Sequence, residues 1–471
     1  MKNILATRYA SQSIVDLWLP ETKVILEREL WVTVLEAQVE LGLDVDESVI
    51  SAYRAVIDQV DLVAISDRER ATRHDVKARL EEFCSLAGHE QIHRGMTSRD
   101  LTENVEQLQI YRSLDVILDK IVSALARLGR LASEHSDLVI AGRTHNVIAQ
   151  PTTLGKRFAN TAEELLVAYR RMADLVERYP LRGLKGPVGT QQDQLDLFHG
   201  DAEKVQNLER MVAKHLGFEW VFNSVGQIYP RSLDFDVLST LFQSIGGPAN
   251  LSRTIRLMAG HDLVTEGFQA GQVGSSAMPH KINTRTCERI NGLSTVLRGY
   301  LTMVEALVGD QWNEGDVTCS VVRRVALPDA FMATDGLFES FLTVLDEFAV
   351  FPKIAEFELR NNLPFLATTR ILMAAVEAGV GREVAHEVIS GYAIKAVENR
   401  RTIGSGISDY LDWLADDDRL PLNRSQLDSL LADRSSLIGR APAQVQEVIE
   451  RIAEVVTERP RAAIYNPEPI F

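Results

Sequence analysis

In the stretch SLDVILDKIVSALARLGRLASEH, Leu114, Leu118, Ile121, Leu125 and Leu128 recur at alternating intervals of four and three residues, and Ile117, Ala124 and Leu131 widen the stripe. Such spacing lines one face of an α-helix, and a face this wide must be buried against other helices. Taken from 113 to 135, the predicted helix is about 34 Å long at 1.5 Å per residue, a length that suits a bundle. Similar periodicity in KRFANTAEELLVAYRRMADLVER, DAEKVQNLERMVAKHLG and TCERINGLSTVLRGYLTMVEALV predicts a mainly α protein. The segment FPKIAEFELRNNLPF, with Pro352 and Pro364, precedes shorter helical patterns. Boundaries are therefore expected near 112 and 356: an N-terminal helical domain (1–112), a central long-helix bundle (113–356) and a C-terminal helical domain (357–471).

Composition narrows what such a bundle does. A net charge of −16 argues against a nucleic-acid binder, because phosphate backbones demand a broad positive face, so an anionic ligand must meet a local basic cluster instead. No run of about eighteen apolar residues occurs, so no membrane span is expected. Cys84, Cys287 and Cys319 show neither paired nor C-x-x-C spacing, and MKNILATRYASQS lacks a secretory apolar core; both fit a cytoplasmic protein.

One short motif suggests a metal. His89-Glu90-Gln91-Ile92-His93 matches the H-E-x-x-H pattern of zinc peptidases, which grips zinc only when a helix puts both histidines on one face. Here Gly88 and Gly95 flank the motif, and TSRDLTENVEQLQI beyond it opens a new helix with Thr97 or Ser98 as N-cap. HEQIH is therefore expected to connect two helices and to bind no metal.

The stretch TEGFQAGQVGSSAMPHKINTRT, residues 265–286, has no convincing period and carries adjacent serines, a lysine and an asparagine, groups able to hold an anion or move a proton. Its core, GSSAMPHKIN, resembles the signature loop of the fumarase/aspartase superfamily, helical tetramers that release fumarate by β-elimination. AGRTHNVIAQPTT, TRHDVKARL with HRGMTSRDLTEN, GQIYPRSLD and CSVVRRVALPDA extend the resemblance over nearly the whole chain. Within the superfamily the combination is similar to the adenylosuccinate lyase family: His280 follows the M-P of the loop, where fumarases and aspartases typically have glycine and argininosuccinate lyases glutamine.

The resemblance implies a homotetramer with active sites shared between chains, a nucleotide substrate, no metal and no organic cofactor. It makes His145 the general acid, which a side chain titrating near neutrality can serve, with Glu288 to hold and charge the imidazole. Ser275 becomes the base, with Ser276 beside it, activated once N–H groups and positive charge surround it. Lys281 and Asn283 would stabilise the aci-carboxylate, and His74 would assist through phosphate or proton-transfer contacts. Arg8, Tyr9, Arg73, Asp75, His93, Thr97, Ser98, Gln227, Arg231, Ser320 and Arg324 become substrate-binding positions, arginine's planar fork suiting phosphate and carboxylate. Taken singly, these have plainer explanations, as Ser98 does in capping a helix. The expected reaction converts adenylosuccinate to AMP and fumarate, and acts also on the succinylated aminoimidazole carboxamide ribotide. The rivals are argininosuccinate lyase or another superfamily activity, and a non-catalytic protein reusing the fold. Two positions depart from the family: Gly315 stands where many members have arginine, and Thr284 replaces the usual proline after Asn283.

Overall fold

The computed structural model describes residues 3–267, 278, 280–404 and 407–469. Helices dominate. Those that position the site are α1 (Ile4–Arg8), α2 (Pro20–Glu40), α3 (Asp75–Ala87), α4 (Ser98–Glu134), α5 (Leu154–Arg178), α6 (Ser232–Ser244), α7 (Gly246–Ala259), α8 (Arg285–Glu305), α9 (Thr318–Glu347), α10 (Pro352–Leu366), α11 (Arg382–Ile403) and α12 (Ala441–Glu458). Two antiparallel pairs of strands accompany them: β1 (Val139–Thr144) with β2 (Val147–Thr153), and β3 (Val264–Thr265) with β4 (Ala349–Val350).

The 37 residues of α4 make a rod about 55 Å long at 1.5 Å per residue. Residue 112 lies inside this unbroken helix. Its second half carries the predicted stripe, with Leu114, Ile117, Leu118, Ile121, Leu125 and Leu128 at most 1% exposed. Against α4 pack α5, α9 and α12, while α8 packs on α9 and on α7. One large apolar core unites these helices, and Val445, Val448, Ile452 and Val455 of α12 belong to it although the chain has by then passed through a second, smaller core. That smaller core gathers Ile371, Val388, Tyr410, Leu414 and Leu427.

The first half of α4 is built differently. Asp100, Glu103, Asn104 and Gln107 are fully buried there. Burial of such groups is tolerated only when each is paired. Asp100 accepts hydrogen bonds from the backbone N–H groups of Thr97 (2.8 Å), Lys185 (2.8 Å) and Gly186 (3.0 Å) and from the Arg182 guanidinium (2.5 Å). Asn104 bonds both the N–H (2.9 Å) and the C=O (3.0 Å) of Gly183, and Gln107 donates to Pro180 O and accepts from Arg182 N, both at 2.7 Å. The chain from 180 to 186 is thus fastened to α4 turn by turn. Lower on the same helix, the Lys120 ammonium meets Asp335, Glu339 at 2.6 Å and Ser11 Oγ at 3.0 Å, and the Tyr465 hydroxyl donates to Glu339 at 2.8 Å.

Removing charge from Asp100 leaves Arg182 buried without its partner. Asp100→Asn should therefore lower unfolding free energy by about 3–5 kcal/mol in urea titrations. A loss below about 1 kcal/mol, the net worth of one ordinary hydrogen bond, would show that the remaining bonds hold this region without the ion pair.

Candidate active site

His145 occupies the tip of the β1–β2 hairpin. Thr144 pairs with Val147, so His145 and Asn146 are the whole loop, with φ of 53° and 62°. Two consecutive positive φ angles are what a type I′ turn requires, and histidine and asparagine enter that region more readily than most residues. Gly142 lets the strands close: a Cβ there would lie 2.4 Å from Gln150 O, beside the register shift between Ala141 and Arg143. The hairpin leans on α10, where Arg143 pairs with Glu358 and Ala141 packs with Leu359 and Leu366. The acid candidate is thereby held out into solvent on a short, braced ribbon.

Its expected partner faces elsewhere. Glu288, on the first turn of α8, is exposed and lies 3.9 Å from Arg256 of α7, and no hydrogen bond or ion pair joins it to His145. Ser275 and Ser276 fall outside the described residues. Lys281 and the half-buried Asn283 lie on the segment that enters α8. Thr284, the N-cap of that helix, makes no side-chain capping bond. Glu266, 4% exposed, caps the helix from afar: its two oxygens accept from the N–H groups of Thr286 and Cys287, each at 2.8 Å. A carboxylate at a helix N-terminus satisfies orphan donors and complements the dipole. Lys281 and Asn283 thus lead into a helix start that is capped by a residue twenty positions earlier.

A second group of expected residues does converge. His74 is the N-cap of α3, its Nδ1 accepting from Lys77 N at 3.2 Å while Nε2 stands 3.5 Å from Ser98 Oγ. Asp75 pairs with Arg324 at 3.3 Å and Arg79 at 3.2 Å. Burial pushes the Asp75 carboxyl up, but Arg79, the Val76 N–H and Arg324 outweigh it and hold it below the usual carboxylate range. Ser320 accepts from Arg99 at 2.7 Å and lies one turn from Arg324 on α9. Arg73, in a left-handed conformation with φ of 53°, ends the helix Leu62–Thr72 just before this cluster. Thr97 is the N-cap of α4, its N–H donating to Asp100.

His93 lies nearby in a connection between α3 and α4, as expected for HEQIH: Gly88 closes α3 in a left-handed C-cap, and residues 88–97 are not helical. Among the described residues no group of three or more His, Cys, Asp or Glu side chains could hold a metal. His93 itself has φ of 68°, and its Nδ1 accepts from the Trp31 indole N–H at 2.9 Å. That bond fixes the neutral tautomer bearing its proton on Nε2. Burial lowers the imidazole below its ordinary value near 6.5, with repulsion from His74 adding and attraction to Asp100 opposing.

The remaining residues lie apart. Arg8 is exposed at the end of α1, and the half-buried ring of Tyr9 lies 5.7 Å beneath the Arg289 guanidinium. Arg289, which the sequence reading passed over, is lowered by burial and by Arg8 and Arg285 beside it, against attraction from Tyr9. Arg231 is 3% exposed, with both oxygens of Glu103 on its Nη2 at 2.8 and 2.7 Å. Gln227 donates its N–H to Glu314 O at 2.7 Å, and Gly315 packs against it with φ of 143°. A Cβ at Gly315 would meet Gln227 Cβ at 3.2 Å and would be strained by the positive φ, so this backbone favours glycine over the side chain that the family resemblance leads one to expect.

Comparison with known proteins gives consistent matches. The family described as "Lyase" matches residues 6–299, and "Adenylosuccinate lyase C-terminus" matches residues 364–448. The chain is 35% identical over 456 residues to the adenylosuccinate lyase of Saccharomyces cerevisiae, covering 95% of this chain and 93% of that one. It is 34% identical to that of Schistosoma mansoni, covering 94% and 93%. Its fold matches the 3-carboxy-cis,cis-muconate lactonizing enzyme of Pseudomonas putida with a TM-score of 0.84 at 19% identity, covering 97% of this chain and 100% of that one.

The His93 geometry makes a titration prediction. A folded value below the unfolded one means that stability is full above about pH 6.5 and declines as pH falls through the interval beneath it, because the unfolded chain takes up the proton first. In an NMR titration His93 should be less protonated at pH 6.5 than a free imidazole, and Trp31→Phe, which deletes the donor, should raise its midpoint. An unchanged midpoint in that variant would show that the indole does not set the tautomer.

Proposed function

The chain belongs to the adenylosuccinate lyase family, and from that premise we propose that it eliminates fumarate from adenylosuccinate to give AMP, and from the succinylated aminoimidazole carboxamide ribotide to give the carboxamide ribotide, in purine biosynthesis. The observation that carries this reading is the convergence of His74, Asp75, Ser98 and Arg324, from three separate sequence blocks, through the contacts of His74 with Ser98 at 3.5 Å and Asp75 with Arg324 at 3.3 Å, with Ser320 one turn from Arg324 and bonded to Arg99. Arginine, serine and histidine donors grouped this way suit a phosphorylated dicarboxylate.

The proton taken from the carbon beside a carboxylate goes to Ser275, with Ser276 as its neighbour, and charge grows on that carboxylate toward Lys281 and Asn283. The C–N bond then breaks as His145 delivers a proton to the leaving nitrogen, with Glu288 charging the imidazole. Arg8 and Tyr9, with Arg289 against the ring, offer a second anion contact, and Arg73, His93, Thr97 and Gln227 complete the binding set. No cofactor enters this scheme.

Assembly is part of the proposal. The exposed hairpin tip and the exposed Glu288 do not meet within one chain, and α8 and α9 leave Val296, Met303, Val321 and Val325 at the surface. A cytoplasmic homotetramer that brings the acid of one chain to the Glu288 and signature loop of others accounts for both features. No helix among the described residues is long and apolar enough to cross a membrane.

Fumarate release, followed on adenylosuccinate, the ribotide substrate and argininosuccinate, tests the reaction. Release from the first two only is expected; release from argininosuccinate alone would move the chain to the rival activity, and none from any substrate would favour a non-catalytic role. His145→Gln should then lose about 10²- to 10⁴-fold in kcat with little change in binding.

The shared site is tested separately. Refolded mixtures of inactive His145→Gln and Ser275→Ala chains should recover up to about one quarter of the wild-type activity, because each residue of a cross-chain site is intact in half of random assemblies. Activity no higher than that of the separate variants would place both residues of a site in one chain.

A further inference from the structure

One cation at the converging cluster has no assigned task. Arg99 projects from the first turn of α4 with its side chain 13% exposed. Its Nη2 donates to Ser320 Oγ at 2.7 Å and its Nη1 lies 3.1 Å from Glu103. Both neighbours on the chain, Ser98 and Asp100, are already engaged, the one beside His74 and the other with Arg182.

The charges around Arg99 define its surroundings. Behind it lies a buried network in which Lys23, Arg99, Arg231 and Arg323 share three carboxylates, Glu103, Glu106 and Asp234. Asp316 acts on Arg99 from outside that network, so four carboxylates face the four cations. Arg231 takes both oxygens of Glu103, and Arg323 reaches Glu103 (3.3 Å), Glu106 (2.6 Å) and Asp234 (2.8 Å). Arg99 Nη1 shares a Glu103 oxygen, at 3.1 Å, with Arg231 and Arg323, whereas its Nη2 donates to the neutral Ser320 hydroxyl. The Asp316 carboxylate itself accepts from Thr318 N at 2.7 Å. Arg99 therefore turns one guanidinium nitrogen toward Ser320, one turn from Arg324 on α9 and a few residues along the chain from Gly315, whose φ of 143° strains any larger side chain.

We infer that Arg99 is a substrate-binding residue, supplying from the start of α4 the guanidinium that position 315 lacks, and that it receives an anionic oxygen of the substrate, phosphate or carboxylate, together with Ser320. Arg231, closed behind it with both Glu103 oxygens on its Nη2, is the positioning residue that holds the carboxylate Arg99 shares. This inference rests on the reaction proposed above.

The experiment measures AMP binding by calorimetry and fumarate as an inhibitor, alongside KM and kcat for adenylosuccinate, in wild type, Arg99→Gln and Arg99→Lys. Arg99→Gln should weaken one of the two product ligands and raise KM by about tenfold or more, with kcat changed much less, since a charge-assisted bond to ligand is lost. Weaker AMP binding identifies the phosphate, and weaker fumarate binding the carboxylate. Arg99→Lys keeps the charge beside Glu103 and with it the fold, and should fall between the two because it lacks the planar fork. Unchanged affinity for both ligands in either folded variant would overturn the inference and leave Arg99 as a tie between α4 and α9. A wild-type protein that neither binds AMP nor releases fumarate would instead overturn the proposed reaction, and this inference with it.

Discussion

The fold depends on the burial of polar side chains along the first turns of α4. A helix can bury a carboxylate or carboxamide only where something else in the chain brings the matching donor, so each such side chain selects one neighbour and rejects others. Asp100 selects the 182–186 segment, Asn104 selects Gly183, Gln107 selects Pro180 and Arg182, and Glu103 selects Arg231 and Arg323. Apolar packing lower on α4 supplies the bulk of the driving force but is far less particular about partners. The polar end makes the choice. That is also the end where His74, Ser98 and Ser320 gather, so the specificity of the fold and the placement of the cluster have one cause.

The two halves of the proposed chemistry are supported in different ways. The cluster around Asp75 and Ser320 is mounted on long helices whose buried networks leave little play. His145 is mounted on a two-residue turn, and Lys281 and Asn283 stand at a helix start capped by Glu266. Binding groups on rigid rods and reacting groups on short braced connections is a division in keeping with a reaction in which product must leave.

Much of this was legible in the chain. The four-and-three spacing in 114–128 gave the long helix because it reports which face is apolar, and the flanking glycines showed that HEQIH was no helix. Periodicity was silent about Asp100, Glu103 and Asn104, since a polar residue reads as exposed until its partner is known. The hairpin is hard to read from the chain for another reason: VIAGRT and VIAQPTT are β-rich, but His-Asn is a weaker turn signal than Asn-Gly. Glu266 lies twenty residues from the amide of Thr286, beyond the reach of any local capping pattern. The site residues rest on resemblance, which could not tell that Arg231 is enclosed by Glu103 or that Gly315 has a conformation that strains larger residues.

The return of α12 to the main core bears on how the molecule is made. Ile452 faces Gly129 so closely that a Cβ there would lie 3.4 Å from its Cδ1, and Tyr465 closes over Lys120 and Glu339 together with Ser11. During synthesis the stripe on α4 emerges more than three hundred residues before the helix that covers part of it. At roughly 5–20 residues per second, that face waits on the order of tens of seconds without its cover, long enough for exposed apolar surface to find other chains. The central bundle therefore closes only once α12 has been made, and until then the apolar face of α4 is open to other chains.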